Sequence, residues 1–405
     1  MATHEDVAII GAGLSGLVLA LSLHRQNIPC TIYELRPAPL DIGGAITISP
    51  NALQIIDKLG LYENVMSEGY ACEAFHFRSQ DGELLDTYEI GSLEKYGYPG
   101  LRVYRKVLIR ELLAKCAEKK IQIIFGKKFT RILSESKAGV TWEFDDGTVG
   151  QAASLVGTDG IHSRVRSYLH GDVQPKFVNV LAIGATIPTS RVTLPEDYGL
   201  PVTIMSKTHG AYILAPNLSD GSELVIVKQR RIEERNREGW RDLLADKEGS
   251  VDFLLQGVED FPDIVRQAVS AVTPESVSIW PFYQVPKMDK WTSEGGRVSI
   301  LGDAAHAIPP SSGQGANQVF EDAFTYALVR GQCSEASLNS VLAKWQRGRQ
   351  ERIDRLIVLA QQMNVRRLPE STEHGLNEVV GTEDFNMDWL FKPDLDKMVK
   401  TWLTV

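Results

Sequence analysis

The sequence is poor in the features that mark membrane, secreted or nucleic-acid-binding proteins. No apolar run approaches the ~18–20 residues that cross a bilayer. Four of its 405 residues are cysteines, Cys30, Cys72, Cys116 and Cys333. None forms a C-x-x-C pair, which argues against a disulfide framework, a thiol relay or a zinc ribbon. Lys and Arg number 43 against 52 Asp and Glu, and this net charge of −9 disfavours nucleic acid or an anionic membrane as a partner.

These absences indicate in which cell compartment the protein is expected. Residues 1–6 are polar and lack the basic and apolar regions of a signal peptide. We therefore expect a cytoplasmic protein with reduced thiols. His306 has no partners at the spacing of a metal site, so no metal is expected. The length indicates two or three domains at ~150 residues each, and a monomer or a homodimer is expected.

The first 35 residues have the pattern of a βαβ unit. A short β-branched run, Val7–Ile10, precedes a glycine-rich turn, a helical stretch over 17–25 and a second strand over 29–33. Short, wholly apolar strands of this kind are typical of a parallel sheet that is covered on both faces. The chain therefore begins as an α/β domain.

The glycine-rich turn has the G-x-G-x-x-G spacing of a dinucleotide-binding loop. Gly11 permits the tight turn, Gly13 lets the backbone approach a pyrophosphate, and Gly16 allows the helix to pack closely on the strand. The helix N-terminus offers free N–H groups and partial positive charge to that pyrophosphate. Glu34 lies at the distance along the chain where an acid accepts hydrogen bonds from the adenosine ribose. The motif alone does not separate FAD from NAD.

A second segment with the same chemistry lies near residue 300. A buried strand over 297–301 ends at Gly302 and Asp303, and an aspartate in that position is well placed to bind polyol hydroxyls. A Gly/Pro-rich loop over 309–316 follows, and then a helix over 317–330. The N-terminus of that helix can direct its dipole at negative charge on a bound group.

The middle of the chain changes to strands that are separated by turn residues. This succession predicts an antiparallel sheet. The predicted strands span 178–187, 202–206, 211–214, 223–227 and 276–283, and a hairpin near 75–88 is expected to join them. A helical stretch is predicted over 239–270. A long helix over 337–364 carries Arg347, Arg349, Arg352 and Arg355, which are expected to pair with Glu351 and Asp354 on a solvated face.

Three motifs together resemble one known family. They are the glycine motif, the Gly302–Asp303 segment and residues 158–166 (TDGIHSRVR), and they occur in the family's order. The chain resembles the single-component FAD-dependent monooxygenases of the para-hydroxybenzoate hydroxylase type (group A), particularly salicylate-hydroxylase-like and fungal secondary-metabolite members. The resemblance implies an α/β (α+β overall) fold, in which a Rossmann-like FAD-binding domain carries an inserted antiparallel-sheet substrate domain and a C-terminal helical extension.

The resemblance also implies domain boundaries. The FAD-binding domain would be discontinuous, over 1–75, 100–172 and 290–360. The substrate domain would comprise 76–99 and 173–289, and the extension 361–405.

The resemblance assigns cofactor roles to matching positions. Asp303 matches the residue that binds the flavin ribityl chain, Ala316 a backbone site beside the isoalloxazine, and Arg105 an arginine on the diphosphate side. Asp159 and Arg166 resemble a dual FAD/NAD(P)H motif, although Arg164 and Arg166 are equally well explained as salt-bridged surface residues. The full set expected to hold FAD is Gly11, Gly13, Ser15, Gly16, Glu34, Ala45, Arg105, Asp159, Gly302, Asp303, Gly313, Gly315 and Ala316.

The implied activity depends on the cofactor. FAD would be held tightly but not covalently, NAD(P)H would be a transient reductant, and O₂ would react through a flavin C4a-hydroperoxide. A single dinucleotide-binding unit agrees with one resident dinucleotide. The expected reaction is hydroxylation of an aromatic or heteroaromatic small molecule. Epoxidation or Baeyer–Villiger oxygenation on the same scaffold stays open, as does a non-oxygenating FAD reductase or binding flavoprotein.

Substrate contacts are expected from the antiparallel sheet and the proline loop. The candidates are His209, Tyr212, Phe282, Tyr283 and Pro310, each of which can also be read as sheet packing or a solvent-facing residue. Related fungal enzymes often carry an arginine in the first long strand of this domain, but residues 182–186 contain none. A neutral, bulky aromatic or indole-like secondary metabolite therefore stays open as the substrate.

Overall fold

A computed structural model describes residues 6–39, 43–196, 198–332, 337–369 and 386–404. The expectation for Cys333 lies outside these residues, as does the prediction for much of the segment 361–405.

Strands and helices alternate at first and then segregate. The strands are β1 Val7–Ile10, β2 Cys30–Glu34, β3 Ala45–Ile48, β4 Tyr70–Cys72, β5 Ala74–Ser79, β6 Leu84–Glu89, β7 Gly100–Tyr104, β8 Gln122–Phe125, β9 Phe129–Ser136, β10 Gly139–Phe144, β11 Val149–Ala152, β12 Ser154–Gly157, β13 Lys176–Pro188, β14 Val202–Ser206, β15 Gly210–Pro216, β16 Glu223–Arg231, β17 Val277–Gln284 and β18 Val298–Ile300. The helices are α1 Leu14–Arg25, α2 Pro50–Lys58, α3 Tyr62–Glu68, α4 Leu93–Tyr96, α5 Arg105–Glu118, α6 Arg164–His170, α7 Arg237–Ala245, α8 Lys247–Leu255, α9 Asp263–Ser270, α10 Asp303–His306, α11 Gly315–Gln332, α12 Leu338–Arg367, α13 Asp388–Phe391 and α14 Leu395–Thr404.

A parallel five-stranded sheet forms the first layer of the molecule. Its strand order is β18-β12-β1-β2-β8, so the strand near residue 300 returns to the sheet that the N-terminal βαβ unit begins. The four residues of β1 are buried on both faces, as the apolar run predicts. In the part of the chain that the structure describes, no helix combines the length and apolar character that crossing a bilayer requires.

A seven-stranded sheet forms the second layer. Its order is β17-β13-β16-β15-β14-β5-β6, antiparallel except where β14 runs parallel to β5. The predicted hairpin near 75–88 is therefore confirmed as β5 and β6 at one edge. Two three-stranded sheets, β11-β10-β9 and β3-β7-β4, complete the pairing among the described residues. The α/β fold with an added antiparallel sheet is confirmed.

The helical stretch predicted over 239–270 is broken into three helices. Gly257, with φ of +71°, lies between α8 and α9, and Pro262 immediately precedes α9. Gly257 and Pro262 thus separate α8 from α9, because glycine favours the left-handed region and proline, which lacks a backbone N–H, is tolerated at the start of a helix but not in its interior. The three helices cover one face of the seven-stranded sheet through apolar side chains that include Leu254 and Val265.

Two of the four arginines predicted on a solvated face of α12, Arg349 and Arg352, are buried, whereas Arg347 and Arg355 are exposed. Arg349 is fully buried, donating from Nε to Asp322 at 2.7 Å and bonding through Nη1 to Glu321. Arg352 is also buried, and its Nε donates to Glu321 at 2.8 Å. Their partners are thus carboxylates of α11 and not Glu351 or Asp354. The prediction was wrong because α12 packs against α11, which buries the face that carries these two arginines.

Loss of Arg349 should destabilise the fold severely. In Arg349→Met, Asp322 loses its arginine and Glu321 keeps only Arg352, which should cost about 3–5 kcal/mol of unfolding free energy. Arg347→Met is the matched control, because Arg347 is exposed on the same helix and its loss should change stability by less than ~0.5 kcal/mol. Urea unfolding of the two variants measures the difference. Equal stabilities would contradict a structural role for the buried pairs.

Candidate flavin site and substrate cavity

Three neighbouring cavities lead from the parallel sheet to the seven-stranded sheet. The first, of about 170 Å³, is lined by Glu34, Arg36 and Phe125 among others. The second, of about 380 Å³, shares Gly13 and Arg105 with the first. The third, of about 570 Å³, shares a larger set with the second, namely Ala45, Ile46, Thr47, Arg102, Arg105, Pro310 and Gly313. The shared walls place the three cavities in one continuous crevice.

Two glycines of the loop between β1 and α1 occupy positions where a side chain would clash with the backbone. Gly11 has φ of +108°, and a Cβ there would lie 2.7 Å from the Thr158 carbonyl oxygen. A Cβ at Gly16 would lie 1.9 Å from the Gly11 oxygen. Gly13 differs, because a Cβ there would meet no atom within 4 Å. The open space at Gly13 belongs to the crevice and leaves room for a ligand to reach the backbone at the start of α1.

Glu34 closes the first cavity at the carboxyl end of β2. The side chain is buried, and Oε2 accepts a hydrogen bond from Ala12 N at 2.8 Å while Oε1 accepts one from Arg36 N at 3.0 Å. Each carboxylate oxygen has further lone pairs for ribose hydroxyls. The acid and the glycine loop therefore face the same space, which agrees with a nucleoside end of a dinucleotide.

The second cavity contains polar groups that the protein leaves without partners. Ser15 Oγ is buried and forms no hydrogen bond, although the side chain lines the cavity. Asp303 lines the same cavity, and burial raises the pKa of its carboxyl, with the nearby positive charge of His306 and Arg105 opposing the rise. An unpaired buried hydroxyl is costly unless a ligand satisfies it. These groups suit a pyrophosphate and a polyol chain.

The turn that carries Asp303 is held by hydrogen bonds to a carboxylate of α11. Asp322 on α11 accepts a hydrogen bond from Gly302 N at 2.9 Å and bonds His306 Nε2 at 2.5 Å. Asp322 is itself paired with Arg349. The α11–α12 ion network therefore holds the turn, and sequence reasoning missed this connection because the partners are about twenty and forty-five residues apart.

Arg166 is buried and does not lie on the surface. Its Nη1 donates to Ala304 O at 3.0 Å and its Nη2 to Ile161 O at 2.7 Å, which ties the TDGIHSRVR segment to the turn after β18. The surface interpretation of Arg166 was therefore wrong. Asp159 Oδ2 accepts from Arg164 N at 2.8 Å, so this carboxylate caps α6, while its neighbours Thr158 and Gly160 line the second cavity.

Most of the other positions predicted to hold the cofactor lie around the second cavity. Asn317 at the start of α11 donates to Thr47 O at 3.0 Å and to Gly313 O at 2.9 Å, which joins the glycine loop to β3. The second cavity is lined by the predicted residues Gly13, Ser15, Ala45, Arg105, Asp303, Gly313, Gly315 and Ala316. Gly302 shapes the turn with φ of +59°, and a Cβ there would lie 2.9 Å from Val319 Cγ2.

The third cavity lies against one face of the seven-stranded sheet. Residues at alternate positions of each strand point to opposite faces. On β16 the residues Val225, Val227 and Gln229 line the cavity, whereas Leu224 and Ile226 pack under the helices. The wall is completed by apolar side chains from other elements, including Phe75, Ile90, Trp280, Met363 and Phe391.

This alternation corrects three of the predicted substrate contacts. Tyr212 is fully buried on the helix side, where its hydroxyl donates to Leu254 O at 2.5 Å. Tyr283 packs beside Phe177 at 5.5 Å between ring centroids and does not line the cavity. His209 lies in the turn before β15 and contacts Asp260 at 3.0 Å. None of the three lines the third cavity.

Two of the expected contacts do line the third cavity. Pro310 lies between the second and third cavities and lines both. Phe282, the residue before Tyr283, lines the cavity wall on β17. The single-residue offset follows from the strand alternation, because neighbouring residues of β17 point to opposite faces of the sheet and both Phe282 and Tyr283 are aromatic.

Sequence reasoning missed most of the polar groups in the third cavity. Arg102 Nε donates to Asn217 Oδ1 at 3.1 Å, and the Asn217 amide donates to Glu223 at 3.0 Å. Tyr104 donates to the same carboxylate. Burial, followed by the hydrogen bond to Glu223, raises the pKa of Tyr104 to about 12. Tyr104 therefore stays protonated at neutral pH.

Comparison with known proteins agrees with this geometry. Residues 4–340 match the family described as FAD binding domain. A 3-amino-4-hydroxybenzoate 2-monooxygenase of Streptomyces platensis is 30% identical over 80% of this chain and 79% of its own. A 6-hydroxynicotinate 3-monooxygenase of Bordetella bronchiseptica is 27% identical over 86% of this chain and 89% of its own. The structure of Klebsiella pneumoniae HpxO with FAD and uric acid has the same fold, with TM-score 0.76, 21% identity, and coverage of 100% and 98%.

The family match and the relatives identify a flavoprotein monooxygenase. The chain belongs to the FAD binding domain family, within the group A aromatic hydroxylase class. It is an FAD-dependent monooxygenase that hydroxylates an aromatic small molecule with O₂ and a reduced nicotinamide. The relatives do not favour the epoxidase, Baeyer–Villiger or non-oxygenating alternatives.

Two glycine substitutions should separate folding from cofactor binding. Gly13→Ala should leave the stability of the FAD-free protein unchanged, because its Cβ enters open space, but should lower FAD affinity at least tenfold by blocking close approach. Gly16→Ala should destabilise the fold itself, because its Cβ overlaps the Gly11 oxygen. Thermal unfolding of the FAD-free protein and titration with FAD give the two readouts. Unchanged FAD affinity in Gly13→Ala would remove Gly13 from the site.

Replacement of Asp303 should weaken cofactor retention. Asp303→Ala removes a buried carboxylate from the wall of the second cavity, and hydrogen bonds to charged groups contribute about 1.5–3 kcal/mol. We expect more flavin to be lost on gel filtration than from the unmodified protein, measured by the ratio of flavin to protein absorbance. Asp354→Ala is the control, since Asp354 lies on α12 in an ion pair with Lys287. Equal retention in both variants would argue against the assignment of Asp303.

Proposed function

We propose that the first and second cavities hold FAD, and that the third binds a hydroxy- or amino-substituted aromatic or heteroaromatic ring for hydroxylation. The observation that carries this proposal is the continuity of the crevice, because Ala45, Arg105 and Pro310 belong to both of the cavities that would hold the cofactor and the ring. The relatives' names, which include hydroxybenzoate and hydroxynicotinate, support this class of ring.

The residues around the first two cavities have distinct tasks in this proposal. Glu34 accepts hydrogen bonds from the adenosine ribose, and the N–H groups at the start of α1 bind the pyrophosphate with Ser15 Oγ and Arg105. Asp303 accepts hydrogen bonds from the ribityl chain. The N-terminus of α11, at Gly315 and Ala316, stabilises negative charge on the bound cofactor. When it is bound and reduced by NAD(P)H, FAD supplies the activation of O₂ and the transfer of one oxygen atom.

The third cavity contributes exclusion of water and orientation of the ring. Trp280 and Phe282 form an apolar wall beside Pro310. Because this wall excludes water, it strengthens the polar contacts that the substrate makes. Tyr104 and Asn217 both bond to Glu223. Asn217 in turn accepts a hydrogen bond from Arg102 and so holds that arginine at the junction with the second cavity. Because Tyr104 stays protonated, it acts in this proposal as a fixed donor and not as a base.

We extend the proposal to the organisation of the protein. The FAD-binding domain comprises 1–75, 100–172 and 290–360, the substrate domain 76–99 and 173–289, and the extension 361–405. This division is supported by β18, which rejoins the parallel sheet beside β12 after the seven-stranded sheet ends. We place the protein in the cytoplasm, where NAD(P)H is available, as a monomer or a homodimer. Cell fractionation and light scattering test these two points.

A substrate screen tests the proposed reaction. Purified holoenzyme is mixed with NADH or NADPH and with hydroxy- or amino-substituted benzoates, nicotinates and purines. A true substrate should accelerate NAD(P)H oxidation and give a product heavier by one oxygen atom, with the label retained from ¹⁸O₂. Accelerated oxidation without an oxygenated product from any ring in the panel would overturn the proposal. Product analysis also separates ring hydroxylation from epoxidation and ring insertion.

A further inference from the structure

The C-terminal segment lies beyond the part of the chain that the family match covers. That match ends at residue 340, whereas α12 runs from Leu338 to Arg367 and the structure also describes residues 386–404, which contain α13 and α14. Membership of the family therefore assigns no role to α13 and α14. Their contacts with the rest of the molecule indicate one.

One side chain of this segment belongs to the wall of the third cavity. Phe391, the last residue of α13, lines the cavity, and so does Met363 of α12. The Phe391 ring packs edge-on against Tyr96 of α4, with the ring centroids 5.4 Å apart. Part of the lining of the proposed substrate cavity thus comes from the region outside the family match.

The backbone beside Phe391 is held by an arginine of the buried ion network. Arg352 Nη1 donates to Trp389 O at 2.6 Å, while Arg352 Nε donates to Glu321 at 2.8 Å. One guanidinium therefore joins α13 to α11, the helix that begins at the second cavity with Gly315. The position of Phe391 is set from the same helices that hold the turn at the flavin site.

The side chains of α13 add two further contacts. The Arg355 guanidinium lies over the Trp389 ring, 3.8 Å from its centroid, in the geometry of a cation–π interaction. Lys95 of α4 lies 3.5 Å from the carboxylate of Asp388. The short helix is thus attached to α12 by one residue and to α4 by another, so Phe391 is presented to the cavity from a fixed support.

Phe391 can affect a ligand through the volume that its ring occupies. The side chain is 2% exposed, so it acts as packed wall and offers no polar contact. Protein interiors are close-packed, and the neighbours of a truncated side chain relax only partly into the space that it leaves. Removal of the phenyl ring would therefore enlarge the third cavity on the side of α13.

The preceding residue differs from Phe391 in just this respect. Leu390 is completely buried and belongs to the same core cluster as Phe391, but it does not line the third cavity. Truncation of either side chain leaves a void. The void at Leu390 would lie inside the core, whereas the void at Phe391 would adjoin the space where the substrate lies.

We infer that Phe391 is a specificity-determining residue, through which the C-terminal segment limits the substituents that a ring in the third cavity can carry. This inference rests on the proposed function, since it takes the third cavity as the substrate site. Phe391 contacts and positions the ring and takes no part in proton or electron transfer. The shape of the cavity thus depends on a segment that the family match does not include.

Binding measured without turnover tests this inference. The ring that binds most tightly in the substrate screen is compared with derivatives that carry a methyl, chloro or phenyl group at each free ring position. Holoenzyme is titrated with each compound, and the change in flavin absorbance gives the dissociation constant. The ratio between each derivative and its parent ring measures how well the cavity accepts that substituent.

Phe391→Ala should change these ratios selectively. At least one derivative should gain affinity relative to the parent ring by a factor of about ten or more, because one carbon group in an apolar pocket changes affinity by that amount. Phe391→Leu should shift the same ratio in the same direction by a smaller factor, and it decides the question if Phe391→Ala does not fold. Ratios equal to those of the unmodified protein would overturn the inference.

Leu390→Ala is the matched control on the same helix. It should lower the thermal unfolding temperature, as Phe391→Ala does, but should leave the ratios between derivatives and parent ring unchanged. Equal shifts of these ratios in Leu390→Ala and Phe391→Ala would also overturn the inference, because they would show a general loosening of α13. Circular dichroism and the flavin content of each variant show whether it is folded and loaded.

Failure of this inference and failure of the proposed function can be told apart. If the ratios shift in Phe391→Ala but no ring in the panel is oxygenated, the assignment of Phe391 stands and the hydroxylation proposal does not. If a ring is oxygenated and the ratios do not shift, the hydroxylation proposal stands and the assignment of Phe391 does not. If no ring in the panel binds, both are overturned.

Discussion

Glu321 and Asp322 on α11 are buried against Arg349 and Arg352 on α12, and much of the functional crevice is built on this ion network. Asp322 also accepts from Gly302 N, which fixes the turn that carries Asp303. Glu321 accepts from Asn51 on α2 at 2.7 Å, which links the network to the segment after β3. Burying four charges is justified energetically only when each is paired and hydrogen-bonded. The turn that carries Asp303 therefore depends on α12, a helix that does not line the second cavity.

One face of the seven-stranded sheet packs against helices, and the other face lines the third cavity. Side chains such as Leu224 and Ile226 pack under α7, α8 and α9, while their neighbours Val225 and Val227 line the third cavity. The same alternation separates Tyr212 from the cavity and leaves Lys228 buried beneath the sheet, where its Nζ donates to the Tyr212 hydroxyl at 3.1 Å. Burial lowers the pKa of Lys228 to about 8. The helix side of the sheet is thus densely packed, and the opposite face is left for a ligand.

The parts of the site that are local in sequence could be predicted, and those that depend on tertiary packing could not. The glycine loop, Glu34 and Asp303 follow from the order of strand, turn and helix, and the structure brings them to one crevice. Tyr212 was placed wrongly because β15 is buried on both faces, so composition does not reveal which side a residue takes. Tyr283 was placed wrongly because it and its neighbour Phe282 are both aromatic and point to opposite faces of β17. Arg349 was read as exposed because its partners lie on another helix. Arg102 and Asn217 carry no local signal, since they are hydrogen-bonded to each other from elements far apart along the chain.

The alternation along the strands has a consequence for how such enzymes diverge. A substitution at Val225 changes the shape of the third cavity without entering the packing beneath the sheet. Substrate preference can therefore drift through single replacements that leave the thermodynamic stability nearly constant. Such a fold tolerates substitutions on the face of the sheet that lines the third cavity. This property suits a family whose members oxidise many different rings.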